Sequence, residues 1–203
     1  MIITIDGYSN QGKSYIGKKL AKECGLEFLS TGNLVRYVAV QYNRIQDGTK
    51  DPVSVLQQAV NAMKAATMEE IVNCDNLKTT ETEKTLQLIA QHPFVYDEGV
   101  QVVIRYAENR NILLDGRFTF QYIPNAHRYY YFRSSFEWRT RLAAKAKKIS
   151  YEEALEVIAF RDSFEPQCTV PSYVQVIMPE LFESTEALLS FMKDDIYNKG
   201  QCL

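Results

Sequence analysis

Short β-branched runs and longer helical stripes alternate along the chain. Ile2-Ile3-Thr4-Ile5 is apolar or β-branched at consecutive positions and predicts a buried strand. From Lys13 to Cys24, the residues Ile16, Leu20, Ala21 and Cys24 recur at helical spacing. Gly25 then supplies the residue on which helices commonly stop. Glu27 to Leu29 predicts a second short strand. From Thr31 to about Arg110 the pattern is almost wholly helical. Leu34, Val38 and Tyr42 lie one helical turn apart, and Val53, Leu56, Val60 and Met63 share a face after Pro52. Thr80-Glu81-Thr82-Glu83 has capping-box spacing ahead of Leu86 and Ile89. Strand character returns over 111–115, where Ile112-Leu113-Leu114 is apolar at consecutive positions, as in a strand covered on both faces. It recurs over 128–132 and 173–177. Further helices are expected from Ser134-Ser135 to about Lys148, from Ser150 to about Arg161, and from Ser184 onward.

Strand, glycine-rich loop, helix, strand is the opening of a βαβ unit and implies a parallel sheet. The pattern predicts one α/β domain with a helical excursion of about 70 residues between its second and third strands, far longer than a plain connection. No repeat or low-complexity linker interrupts it.

Composition narrows the function classes. The chain has 203 residues and a net charge of −2, so no bulk electrostatic case exists for nucleic acid or an anionic membrane. Four scattered cysteines (Cys24, Cys74, Cys168, Cys202) and two histidines argue against a disulfide framework or a zinc site and suit a reducing cytoplasm. The first residues carry no basic segment followed by an apolar one, so no signal peptide is expected. No run of ~18 apolar residues predicts a membrane span.

The chemistry sits in Gly7-Tyr8-Ser9-Asn10-Gln11-Gly12-Lys13-Ser14, which fits the GxxxxGK[ST] phosphate loop. Glycines let backbone N–H groups wrap a phosphate, and the following helix offers its positive N-terminus. Lys13 is expected at the β- and γ-phosphates of ATP, the Ser14 hydroxyl on Mg²⁺, and Gly7 to Tyr15 around the nucleotide. A second acidic element is expected at the end of a neighbouring apolar strand, and Ile112-Leu113-Leu114-Asp115 supplies it. A turn aspartate before Gly116 is the bland alternative for Asp115. The Asn-Lys-x-Asp tetrapeptide that reads guanine in switch GTPases does not occur.

At this point the sequence resembles the cytidylate (CMP/dCMP) kinase family of nucleoside-monophosphate kinases. Ile3 through Ser14 is similar to the family's "ITIDGPxxxGKS" opening, and Phe28 to Arg36 to its "FLDTGAxYR" segment. Leu114-Asp115-Gly116-Arg117 followed by Pro124-Asn125-Ala126, Ser134 to Arg141, and Phe160-Arg161-Asp162 match later motifs in order. The resemblance implies a three-layer P-loop NTPase-type fold with a five-stranded parallel sheet, a helical acceptor-binding insertion and a short lid. It implies a single kinase domain over 1–203, with its core in 1–30, 111–138 and 166–203, an acceptor-binding region in 31–110 and a lid in 139–165. It assigns Thr31 and Arg36 to the acceptor monophosphate or its base, and Arg117 to the acceptor phosphate. Arg139 and Arg161 go to the transferring phosphoryl group, and Asp162 to the acceptor side. ATP and Mg²⁺ are the implied cofactors and a nucleoside monophosphate the implied partner, with monomer and homodimer both open.

The match is broken in places. Phe118 stands where the family has aspartate, Tyr8 where it has proline, and Thr140 and Leu142 interrupt the family's arginine run. Arg105 is the one candidate cation between Val95 and Asn109, and Glu165 the candidate second acid after Asp162. The donor side is thus intact and the acceptor side altered: the resemblance implies a CMP- or dCMP-like acceptor, while the departures point away from plain CMP, to a modified pyrimidine nucleotide or another small alcohol or phosphate. A kinase for a non-nucleotide metabolite and a degenerate nucleotide-binding regulator stay open as alternatives.

Overall fold

The computed structural model describes residues 1–89, 91–163 and 169–198. In chain order the elements are β1 (Ile2–Gly7), α1 (Lys13–Cys24), β2 (Glu27–Ser30), α2 (Gly32–Ile45), α3 (Pro52–Ala65), α4 (Met68–Val72), α5 (Thr80–Ile89) and α6 (Pro93–Ala107). There follow β3 (Ile112–Asp115), a 3-10 turn at Thr119–Gln121, β4 (Arg128–Phe132), α7 (Phe136–Lys147), α8 (Tyr151–Asp162), β5 (Gln175–Ile177) and α9 (Thr185–Asn198). The chain forms two compact units, residues 1–30 with 109–203, and residues 31–108.

The first unit is built on a five-stranded parallel sheet in the order β2-β3-β1-β4-β5. β1 is central because it is apolar on both faces: Ile3 and Ile5 are fully buried, as is Thr4 between them. Ile3, Ile5, Leu113, Tyr130 and Phe132 of the sheet pack against Ile16 and Leu20 of α1 and against Leu188, Leu189, Met192 and Ile196 of α9. Gly17 of α1 lets that helix approach closely, since a Cβ there would meet the Phe28 ring at 2.8 Å. Tyr130 reaches through this core to donate to Asp195 at 2.9 Å, and Arg128 pairs with the same carboxylate at 3.0 Å. A second cluster gathers Phe120, Tyr131 and Val174 with the half-buried Phe118, Tyr129 and Val170.

Local chemistry sets the helix ends. α1 stops at Gly25, left-handed at φ 67°, with the Leu26 amide returning to the Ala21 carbonyl at 2.8 Å. Ser135 caps α7 by accepting from the Trp138 amide, and Ser150 and Glu153 form a full capping box on α8. α7 and α8 are held to each other by Ala143, Ala154 and Ile158.

In the helical unit Leu34, Val38 and Tyr42 of α2 are buried as their spacing predicts. The packed stripe of α3 runs through Val55, Leu56, Ala59, Val60 and Met63; Val53, at the edge of that stripe in the first turn, is 55% exposed. The cap of α5 differs from expectation. Thr79 rather than Thr80 accepts from the Thr82 amide, at 3.2 Å, and Glu83 is drawn to Arg36. Among the described residues no helix is long and apolar enough to cross a membrane.

Candidate active site

β1 delivers the glycine loop at its C-terminal end. Gly7 leaves the strand at φ 132°, and a Cβ there would lie 2.4 Å from the Phe132 carbonyl oxygen of the neighbouring β4. Only glycine lets the chain turn out of the sheet at that distance from a backbone. Asn10 and Gly12 then take left-handed conformations at φ 57° and 76°, which curls the loop and presents α1 end-on. The N-terminus of α1 has no capping side chain and no acid in its first turn. Its positive end is therefore unneutralised by its own residues, the condition for holding an anion.

Lys13 is 8% exposed and donates from Nζ to the Tyr8 carbonyl at 2.7 Å, spanning the loop from end to start. The Ser14 hydroxyl donates to Oδ2 of Asp115, which sits at the C-terminal end of β3, one strand over from the loop. Among the described residues no cluster of His, Cys, Asp or Glu could hold a metal by itself. A hydroxyl beside a single carboxylate suits Mg²⁺ nonetheless, since that ion keeps most of its waters and takes further oxygens from substrate phosphates.

The loop also fits a polyanion by what it leaves unmet. Ser9 Oγ, Asn10 Nδ2 and Arg139 Nε are all buried without a hydrogen-bond partner among the described residues, and all three can donate. Orphaned buried donors are costly, so several around one glycine loop mark a place shaped for acceptor oxygens. Tyr15, expected around the nucleotide, is 57% exposed just beyond it.

Arg139, on the first turns of α7, is 3% exposed. Its Nη1 donates to Asp162 Oδ1 at 2.9 Å and more weakly to the Ser9 carbonyl at 3.4 Å, and its Nη2 donates to the other Asp162 oxygen. The guanidinium carbon lies 5.4 Å from the Tyr8 ring centroid and 5.7 Å from that of Phe136. Asp162 is the last residue of α8, and Arg161, half-buried, lies in the same final turn. Position 165, where a second acid was expected, lies outside the described residues.

Two participants were not among the sequence candidates. Asp6, fully buried at the end of β1, accepts from the Thr119 amide at 2.8 Å, the Thr119 hydroxyl at 2.6 Å and the Phe120 amide at 3.3 Å. Burial pushes its carboxyl up to about 6, against the pull of those three donors and of the Lys13 charge. Asp6 thereby ties the strand that bears the phosphate loop to the turn that follows Arg117. The available signal was a lone acid inside an otherwise apolar central strand. The second is Glu83, whose spacing from Thr80 made it look like part of a helix cap.

The remaining candidates divide between the units. In the first, Arg117 is exposed, and Phe118 follows it at φ 57°, its ring edge-on to Phe120 at 6.0 Å. In the helical unit, Thr31 stands before α2 without making a side-chain cap. Arg36 donates from Nε to Glu83 at 2.9 Å and from Nη1 to the Gly32 carbonyl at 3.2 Å. Shielded from solvent, Arg36 thus has its anionic partner in a carboxylate of the chain itself.

Comparison with known proteins places the chain in a family. The family described as "Cytidylate kinase" matches residues 3–175. A cytidylate kinase of Rhodopirellula baltica is 31% identical over 175 residues, covering 80% of this chain and 76% of its own. One from Caldanaerobacter subterraneus subsp. tengcongensis is 28% identical over 174 residues, covering 80% and 78%. Among solved structures, a shikimate kinase from Bacteroides thetaiotaomicron superposes with a TM-score of 0.53 at 12% identity, covering 97% of this chain and 98% of that one, a likeness of fold alone. The chain belongs to the cytidylate kinase family of ATP-dependent phosphotransferases.

Proposed function

We propose that the protein transfers the γ-phosphoryl group of ATP to a pyrimidine nucleoside monophosphate of the CMP or dCMP type. The observation that carries this reading is the convergence of Lys13, the Ser14–Asp115 pair and Arg139 on one glycine loop. An oxygen of the acceptor phosphate attacks the γ-phosphorus, the bond to the β,γ-bridging oxygen breaks, and ADP leaves. The transfer asks little covalent chemistry of the protein; charge on the transferring group must be neutralised and the two oxygens held in line. Lys13 and Arg139 supply fixed positive charge within the loop's own unit. Mg²⁺, held by the Ser14 hydroxyl and by Asp115 directly or through a water, would add Lewis-acid neutralisation of the phosphate oxygens.

Arg117 and Arg161 in the first unit and Thr31 and Arg36 in the helical unit are the residues we assign to the acceptor. Arginine's planar fork suits a phosphate bidentately. Phe118 offers no carboxylate toward an acceptor, and its ring joins the Phe120–Tyr131 cluster. This supports an acceptor bound with fewer polar contacts than plain CMP makes in the family pattern.

The test is ADP release in a coupled assay with ATP-Mg²⁺ and a panel of CMP, dCMP, 5-substituted cytidylates, UMP, AMP and GMP. Turnover is expected with the pyrimidine members, and Lys13→Ala should lose about 10²–10³-fold in kcat. A protein on which no acceptor raises ATP turnover, or a Lys13→Ala variant as active as the wild type, overturns the proposal.

A further inference from the structure

We propose that Tyr8 is the positioning residue for Arg139, keeping the guanidinium over the phosphate loop while its edge partner changes from Asp162 to the phosphoryl oxygens. The inference rests on the reading above in which Arg139 neutralises the transferring group.

An arginine has two kinds of surface, and here they are used differently. Its guanidinium carbon lies over the rings of Tyr8 and Phe136, at 5.4 and 5.7 Å to the centroids. Its N–H edge holds Asp162 through both Nη atoms and leaves Nε buried without a partner among the described residues. The two kinds of contact do not compete. A phosphoryl group can take the edge from Asp162 only there, because oxygen ligands bind guanidinium in its plane. When that exchange happens, the Asp162 tie is lost at the moment when position matters most. A long side chain freed from the one charged partner it has among the described residues regains rotamer freedom. The ring contacts can survive the exchange, since the attraction of the cation to a ring's π face uses none of the N–H bonds that pass from carboxylate to phosphate.

Of the two rings, that of Tyr8 carries the argument. Phe136 lies on the same helix as Arg139 and three residues before it, so it moves with the arginine. Tyr8 belongs to the phosphate loop and fixes the arginine relative to the nucleotide. The loop fixes Tyr8 in turn: its carbonyl accepts from Lys13 Nζ at 2.7 Å, and the preceding Gly7 is locked against β4. That carbonyl contact is backbone, so substitution of the ring leaves the lysine's partner in place. The chemistry to be tested is therefore a π face, separable from both the loop's shape and the lysine's contact.

Tyr8→Leu fills most of the same volume without a π face, and Tyr8→Phe keeps the face without the hydroxyl. With ATP-Mg²⁺ and CMP, Tyr8→Leu should lower kcat about three- to thirtyfold, the span from an exposed to a desolvated cation–π contact, with the KM for ATP within about twofold. Tyr8→Phe should restore kcat to within about twofold of wild type. Arg139→Gln closes a double-mutant cycle: in that background Tyr8→Leu should cost nothing further, because a residue acting through Arg139 has nothing left to position. The fluorescence of Trp138, the neighbour of Arg139 and the chain's one tryptophan, reports binding of a non-hydrolysable ATP analogue and the unfolding midpoint of each variant. Tyr8→Met replaces Tyr8→Leu if the latter melts early.

A multiplicative loss in the double variant, or a Tyr8→Leu effect confined to the KM for ATP, overturns the inference and leaves the kinase reading standing. An Arg139→Gln variant with full kcat overturns the role of Arg139 and the inference with it. A wild-type protein that turns over no acceptor overturns both.

Discussion

The replacement Asp6→Asn tests the least expected feature of the site. Asp6 is wholly buried and faces three donors, two from Thr119 and one from Phe120. An ionised carboxylate satisfies all three, and burial still outweighs them, lifting its pKa from an ordinary 3.8 to about 6. Between those two values the folded protein binds more protons at this site than the unfolded chain does. The sign follows directly: stability contributed by Asp6 is present at low pH and is lost as pH rises through about 6. Integrated from pH ~7.5 down to pH ~5, the linkage is on the order of 1 kcal/mol in favour of the wild type. Asn cannot titrate, so the difference in unfolding free energy between wild type and Asp6→Asn should grow by about that amount over the same interval. At any one pH the sign of the difference is less informative, because Asn removes a buried charge but turns an NH₂ group against donors. Urea unfolding followed by Trp138 fluorescence at matched ionic strength measures the difference. A gap that stays flat, or narrows as pH falls, would refute the account of Asp6 as a buried acid held by its turn.

Two further changes probe the loop. Gly7→Ala forces a Cβ to within 2.4 Å of the Phe132 carbonyl at a φ that L-residues rarely adopt; strain and overpacking together should cost about 2–6 kcal/mol in urea unfolding, and a loss under about 1 kcal/mol contradicts the geometry. Asp115→Asn removes the charge beside the Ser14 hydroxyl, so the Mg²⁺ concentration at half-maximal activity should rise by about 10–100-fold; an unchanged Mg²⁺ dependence removes Asp115 from the metal's surroundings.

What the sequence made legible follows from how local each cause is. The β1–loop–α1 passage is written in neighbouring residues: a β-branched run, glycines where φ must be positive, a helical stripe, a stopping Gly25. β3 spans Ile112–Asp115 and is buried at all four positions, as its consecutive apolar run suggests, because a strand covered on both faces has no periodicity to misread. Asp6 and Thr119 are joined over a separation of 113 residues, and no pattern near Asp6 announces the turn that satisfies it. The α5 cap shows the same limit at short range. Thr80 and Glu83 have capping-box spacing, but Glu83 also lies opposite Arg36, 47 residues earlier. A charge pair shielded from solvent outbids a solvent-facing cap, since hydrogen bonds to charged groups are the stronger ones.

Two shielded arginines each hold a carboxylate of their own unit, Arg36 through Nε and Arg139 through both Nη atoms. Arg36 holds Glu83, with side chains 19% and 30% exposed, and Arg139 holds Asp162, with side chains 4% and 24% exposed. An arginine left without an anion in such surroundings costs about 3–5 kcal/mol, a large share of a domain's stability. If the two arginines take the phosphate roles proposed above, each needs something anionic beside it before substrate arrives, and a carboxylate supplies it. Both carboxylates are more exposed than the arginines they occupy. When displaced by a phosphate each can turn to water, whereas the arginine cannot. The asymmetry gives the exchange its direction: the cation stays and the anion changes. On this reading Glu83 and Asp162 lower affinity somewhat, because the phosphate must displace a partner that already fits. In return, the ligand-free protein keeps its arginines folded in place, and transfer begins from charge already positioned.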